Sequence, residues 1–151
     1  MRWKITTNRK VRYNFEIIET LEAGIVLKGT EVRSLRNGSV NISQAFCKII
    51  KGEIWLINSQ ISHYPFAGIT LQHNTTRDRK LLLNRKEIKR WNLDVDRKRL
   101  SIVPTRIFFS KRLAKIEIAL VRGKRKYDRR QSIKNKEAEI EINRSLKRSM
   151  F

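Results

Sequence analysis

The chain has 151 residues, which suits one domain and a tail, and its hydrophobic content of 40% can build only a modest core. Its 35 Lys and Arg against 14 Asp and Glu leave a formal charge of +21. Folding that charge into a small volume costs self-repulsion, so a polyanionic partner is expected, either nucleic acid or an anionic membrane surface. No run of about 18 apolar residues is present to span a membrane. The opening MRWKITTNRK lacks the apolar run of a signal peptide. The single cysteine, Cys47, can form no internal disulfide, which favours a reducing, cytoplasmic setting and a reading of Cys47 as a small buried hydrophobe in a strand.

From Phe15 to Leu27 the odd positions read Phe, Ile, Glu, Leu, Ala, Ile, Leu. This alternation predicts a long half-buried strand that Glu22 to Gly24 could bend or split. GTEVRSLRNG follows. Thr30 is placed to N-cap a helix of about two turns, Val32 and Leu35 share a face, and Asn37-Gly38 offers the C-terminal stop. QAFCKIIKGEIWLINSQI reads as a hairpin turning at Lys51-Gly52. Residues 62–79 read as a loop containing Tyr64-Pro65-Phe66. NRKEIKRW predicts a helix capped by Asn84, with Glu87 three residues on and Ile88 and Trp91 on one face. LSIVPTRIFF and AKIEIALV alternate as two further strands joined at Ser110-Lys111-Arg112, with Pro104 at an edge or bulge. Several short strands with helices inserted predict a mainly β fold, a small closed or partly open barrel. The expected division is a folded domain over residues 1–121 and a basic tail over 122–151. In the tail, Ala138, Ile142, Leu146 and Met150 recur every four residues, so residues 131–149 could form a helix. Its apolar stripe is thin, and the tail is expected to be disordered alone and ordered on binding.

The cations are unevenly placed. Residues 15–76 hold five against five acids, whereas residues 1–14 hold five and no acid, residues 77–99 hold ten against four, and residues 121–151 hold eleven against four. A neutral stretch flanked by basic segments points to a phosphate backbone rather than to an evenly solvated surface. A membrane surface fits less well, because the basic tail has few large apolar side chains to insert.

Other chemistry finds little support. RGKRK contains Gly-Lys but lacks the upstream glycine and the following Ser or Thr of a phosphate-binding loop. His63 and His73 share a loop with no cysteine nearby, which argues against zinc. Asp78, Asp94 and Asp96 have no fixed metal-ligand spacing. Glu31, among Lys28, Arg33 and Arg36 at a helix start, is open to two readings. It complements the helix dipole, or its carboxylate accepts a hydrogen bond from a base amine; the residues alone favour the first. Tyr127 is an exposed ring or one that stacks on an unpaired base.

The stretches NRKVRYNFEI, EAGIVLKGTEVRSLR, RDRKLLLNRKEI, VPTRIFF and ALVRGKRKYDRR resemble those of the small protein B (SmpB, SsrA-binding protein) family, in the family's order from Asn8 to Arg130. Arg33 stands where lysine is usual, Val11 where alanine is usual and Arg129 where lysine is usual. The resemblance implies an oligonucleotide-binding-type β-barrel and an RNA-binding protein rather than an enzyme. It implies no metal or organic cofactor. The body would bind the tRNA-like part of transfer-messenger RNA, which lacks an anticodon arm. The tail would enter the empty message channel of a stalled ribosome and stand in for codon–anticodon pairing, alongside the elongation factor that carries aminoacyl-tRNA. By residue, the resemblance puts Arg9, Lys10, Glu31, Arg33, Arg36, Arg79, Lys80, Lys115, Lys124 and Arg125 on the RNA, and Tyr127, Asp128, Arg129 and Arg130 at the decoding site. A monomer is expected. The competing classes are a structural ribosomal protein, a metal-dependent nuclease using Asp78, Asp94 or Asp96, and a sequence-tolerant single-strand binder.

Overall fold

The computed structural model describes residues 2–123, 137, 138, 140–142 and 144. In chain order the elements are β1 (Arg2–Thr7), α1 (Val11–Asn14), β2 (Phe15–Ile25), α2 (Gly29–Arg36), β3 (Val40–Asn41), β4 (Phe46–Ile50), β5 (Glu53–Ile57), β6 (Gln60–Ile61), a 3-10 turn (Ile69–Leu71), β7 (Arg79–Leu82), α3 (Arg85–Lys98), β8 (Ser101–Ser110) and β9 (Leu113–Gly123).

The long alternating strands close the sheet. Strands run in the order β1-β8-β4-β5-β7-β2-β9, and β8 also pairs with β9 along its whole length, so β4, β5, β7, β2, β9 and β8 form a ring. Closure leaves β8 and β9 no free edge between them. Strand β1 lies along the far half of β8, from Arg2 opposite Ser110 to Thr7 opposite Arg106. Of the inward side chains of the ring, Ile54, Leu56, Leu81, Ile107, Ile116 and Ile118 are at most 1% exposed. Each such side chain removed from water contributes roughly 1.5–3 kcal/mol. Leu35 fastens α2 to this core, and Ile88 and Trp91 fasten α3. Trp91 is fully buried and donates from Nε1 to Glu19 Oε2 at 3.1 Å, so the indole leaves no polar group unmet.

Several expectations hold. Lys51 and Gly52 both have positive φ, 52° and 77°, the signature of a tight two-residue hairpin turn. Lys111 and Arg112 form a second such turn without glycine, at 50° and 71°. Pro104 lies beside a bulge, for the β8–β9 register shifts between Pro104 and Arg106. Gly38, with φ 74°, follows α2. Cys47 is buried in β4, where burial pushes its thiol pKa far up.

Others need correction. Thr30 is not the N-cap: the cap is Lys28, two residues earlier, and α2 begins at Gly29. The long strand is not split at Glu22–Gly24; its irregularity lies between Ile17 and Glu19. That bulge resets the alternation, leaving Ile17 and Ile18 at the surface while Ala23 and Ile25 face the core. Gly24 serves instead as a point of close approach, since a Cβ there would meet Leu82 Cβ at 3.3 Å. The helix read in NRKEIKRW runs on to Lys98, and β9 reaches Gly123, two residues past the expected boundary. The tail expectation falls mostly outside the described residues; of those described, residues 137, 138, 140–142 and 144 are helical.

Candidate nucleic-acid interface

The end of β2, the helix it feeds and the start of β7 meet at one side of the barrel. Gly24 pairs with both Leu82 and Lys115, and Val26 donates to the carbonyl of Lys80. At the centre is Glu31, fully buried. Its Oε1 accepts from the Lys28 backbone N–H at 2.8 Å, closing one half of a capping box, and from Arg77 Nη2 at 2.5 Å. Its Oε2 accepts from Arg79 Nε. Arg77 lies two residues before β7 and Arg79 opens that strand, and both guanidiniums converge on Glu31.

Arg79 is fully buried as well and holds more than Glu31. Its Nη1 donates to Ser59 O at 3.1 Å, Ser59 Oγ at 2.9 Å and Arg77 O at 3.0 Å, and its Nη2 to Asn74 O and Thr75 O. One guanidinium therefore ties α2, Ser59 and the end of the long loop to the barrel. Beside it, His73 is buried between Thr30 Oγ1, 2.8 Å from Nδ1, and the Ile61 carbonyl, 2.9 Å from Nε2. The loop between them is also organised. Gln72 accepts from Tyr64 N–H and donates to the carbonyls of Tyr64 and Ala67.

Burial pushes the Glu31 carboxyl pKa up, but the hydrogen bonds from Arg77, the Lys28 backbone and Arg79 outweigh it, and the group lies below its ordinary value of 4.5. A depressed folded-state pKa contributes stability that is present above the ordinary value and is lost as pH falls through the folded one. The thermal stability gap between the wild type and Glu31→Gln should therefore be wide at neutral pH and narrow on acidification below about 4.5. Melting curves of both proteins from pH 7 to pH 3 check this, and parallel profiles would contradict it.

The outer face of α2 presents Arg33 and Arg36, both exposed, with the Arg33 guanidinium 5.5 Å from the centroid of the Tyr64 ring. Lys80 is partly exposed and pairs with Glu53 at 3.1 Å, and Lys115 is partly exposed opposite Gly24. The structure thus brings Glu31, Arg33, Arg36, Arg79, Lys80 and Lys115 to one side. It does not give Glu31 or Arg79 any surface: both are turned inward and onto each other. Arg77 was not singled out by sequence reasoning; its signal was the two-residue spacing to Arg79.

Arg9 and Lys10 lie elsewhere. They are exposed just before α1, whose Val11 packs with Val103, Ala119 and Val121 in a small second cluster. There Phe15 pairs with Gly123, so these cations border the end of β9. Lys124, Arg125, Tyr127, Asp128, Arg129 and Arg130 lie outside the described residues. Asp78 and Asp96 are exposed, Asp94 pairs with Lys98 at 3.8 Å, and no group of three potential metal ligands occurs among the described residues.

A ring-closed β-barrel with a basic face held rigid from beneath defines a small nucleic-acid-binding barrel protein. The profile of the SmpB protein family matches residues 5–148. SsrA-binding proteins are similar along nearly all of the chain. That of Pseudothermotoga lettingae is 49% identical over 95% of this chain and 93% of its own. That of Sinorhizobium medicae is 46% identical over 95% and 90%. A solved structure described as "tmRNA-SmpB: a journey to the center of the bacterial ribosome" superposes with a TM-score of 0.67 at 40% identity, covering 85% of this chain and 93% of that one. The chain belongs to the SmpB family.

Proposed function

We infer that the chain binds the tRNA-like part of transfer-messenger RNA and delivers it to stalled ribosomes for trans-translation, the rescue and tagging of incomplete proteins. The observation that carries this reading is the family match along nearly the whole chain, together with relatives named for binding SsrA. In this reading the protein works by binding, not by bond chemistry. It is a cytoplasmic monomer that acts beside the elongation factor carrying aminoacyl-tRNA. Arg33, Arg36, Lys80 and Lys115 contact the RNA directly. Glu31, Arg77 and Arg79 hold α2 and the long loop in the geometry that a folded RNA requires, since structured RNA is read by shape and phosphate contacts from a rigid body. Lys124 and Arg125 lead into the tail, whose Tyr127, Asp128, Arg129 and Arg130 act at the decoding site.

Capture of RNA from cells by the full chain, followed by sequencing, tests the reading. One dominant tRNA-like species is expected; recovery of ribosomal RNA alone would favour a structural ribosomal protein. A finer test is the variant Arg33→Ala/Arg36→Ala. Both side chains are exposed, so the fold should be unchanged. The plot of log affinity against log salt should lose about one unit of slope for each phosphate contact removed, about two in all. An unchanged slope would remove α2 from the RNA interface.

A further inference from the structure

A cleft of about 470 Å³ lies between the β4–β5 turn, β7 and the first turns of α3, and four of its lining residues are cations: Lys51, Lys80, Arg85 and Lys89. Its apolar base includes Leu81 and Ile88, which are 1% and 8% exposed. Arg85 and Lys89 are four residues apart on α3 and so share one face of the helix. Among the described residues, Lys51, Arg85 and Lys89 have no carboxylate partner, while Lys80 is held by Glu53, the only acid lining the cleft. The pair is partly solvated, with side chains 40% and 47% exposed, and its members are 3.1 Å apart. The next hollow along β7 contains Glu22 and Glu87, so the basic cleft ends at an acidic border.

We propose that this cleft is a second contact for the RNA sugar-phosphate backbone, in which an incoming phosphate displaces Glu53 from Lys80. Four cations converging from three elements onto one concave site suit successive phosphates of a folded strand. Lys80 lines this cleft, and its backbone adjoins the approach to α2, since its carbonyl accepts from Val26, three residues before that helix. The backbone therefore runs from the α2 face across Lys80 toward Arg85 and Lys89. Glu53 keeps the cleft partly neutral until RNA arrives, so replacing it strengthens binding instead of weakening it. The proposal rests on the RNA-binding reading above and adds Lys51, Arg85, Lys89 and Glu53 to it.

The test uses the full chain and a transcribed tRNA-like fragment of transfer-messenger RNA, with affinity measured across a salt series. Glu53→Gln should bind roughly two- to fivefold tighter, the range expected from releasing an exposed ion pair. That gain cannot arise from misfolding. Arg85→Gln/Lys89→Gln should bind more weakly and lose about two units of salt slope. The charge-matched variant Lys111→Gln/Arg112→Gln, at the exposed β8–β9 turn, should keep its slope. Equal losses in the two double variants would reduce the effect to net charge and overturn the cleft, and so would an unaltered or weakened Glu53→Gln. Wild-type affinity for an unrelated hairpin RNA of the same length reads the functional assignment separately. Lack of preference for the tRNA-like fragment would sink that assignment, whereas the cleft stands or falls on the variant slopes with either RNA.

Discussion

Glu31→Gln is expected to lower the melting temperature by more than about 10 °C. The carboxylate is fully buried and faces an equally buried Arg79. Removing one partner of such a pair leaves the other charge uncompensated and costs roughly 3–5 kcal/mol. For a domain of this size each kcal/mol shifts the midpoint by about 3–6 °C. Glutamine can still accept from the Lys28 N–H, and Arg77, 26% exposed, can turn to water. Arg79 has no such exit, because its other donors are already committed to Ser59, Asn74, Thr75 and Arg77. The second variant, Glu31→Gln/Arg79→Met, removes the stranded charge as well. Its cost should fall well short of the sum of the two single changes, since residues in direct contact are strongly non-additive. Thermal melts of the four proteins check this. A single variant that melts within about 3 °C of wild type and yet loses RNA affinity would return Glu31 to the role of base acceptor.

Much of the barrel was legible because its signals are local. The Lys51-Gly52 turn, the β8–β9 pair and the Ile88/Trp91 face of α3 each follow from spacing within one segment. What escaped the sequence were elements defined by their partners. Strand β1 is a basic stretch that becomes a strand by pairing with β8, and β7 is four residues lying between β5 and β2. Glu31 shows the same limit at the site. Its position at a helix start was visible, and it does cap α2 through the Lys28 N–H. The fact that decides its energetics is the burial of Arg79, 48 residues away, beneath it. No local pattern distinguishes a surface arginine in RDRK from a buried one. The same holds for Lys51, Arg85 and Lys89, which meet around Lys80 only once the ring has closed.

Truncation of the chain from Asp128 onward should separate two activities that the whole protein joins. The last residue of the buried clusters is Val121, and β9 ends at Gly123. Of the described residues beyond it, Ile140 and Ile142 are 42% and 59% exposed, and neither belongs to the buried clusters of the barrel. Truncation should therefore leave the melting temperature of the body nearly unchanged, as surface changes do within about 0.5 kcal/mol. It keeps Lys124 and Arg125, the α2 face and the cleft around Lys80, so affinity for the tRNA-like fragment should stay within a few-fold of wild type. Tagging in a non-stop translation assay should fall to background, because the proposed function assigns Asp128, Arg129 and Arg130 to the decoding site. Replacing only these three residues with alanine should give the same division with the chain length kept. Gel shift and appearance of the appended peptide measure the two activities side by side. Loss of both together would place the tail within the RNA-binding body. Loss of neither would remove the tail from decoding and leave the barrel, with its two basic faces, as the whole working part.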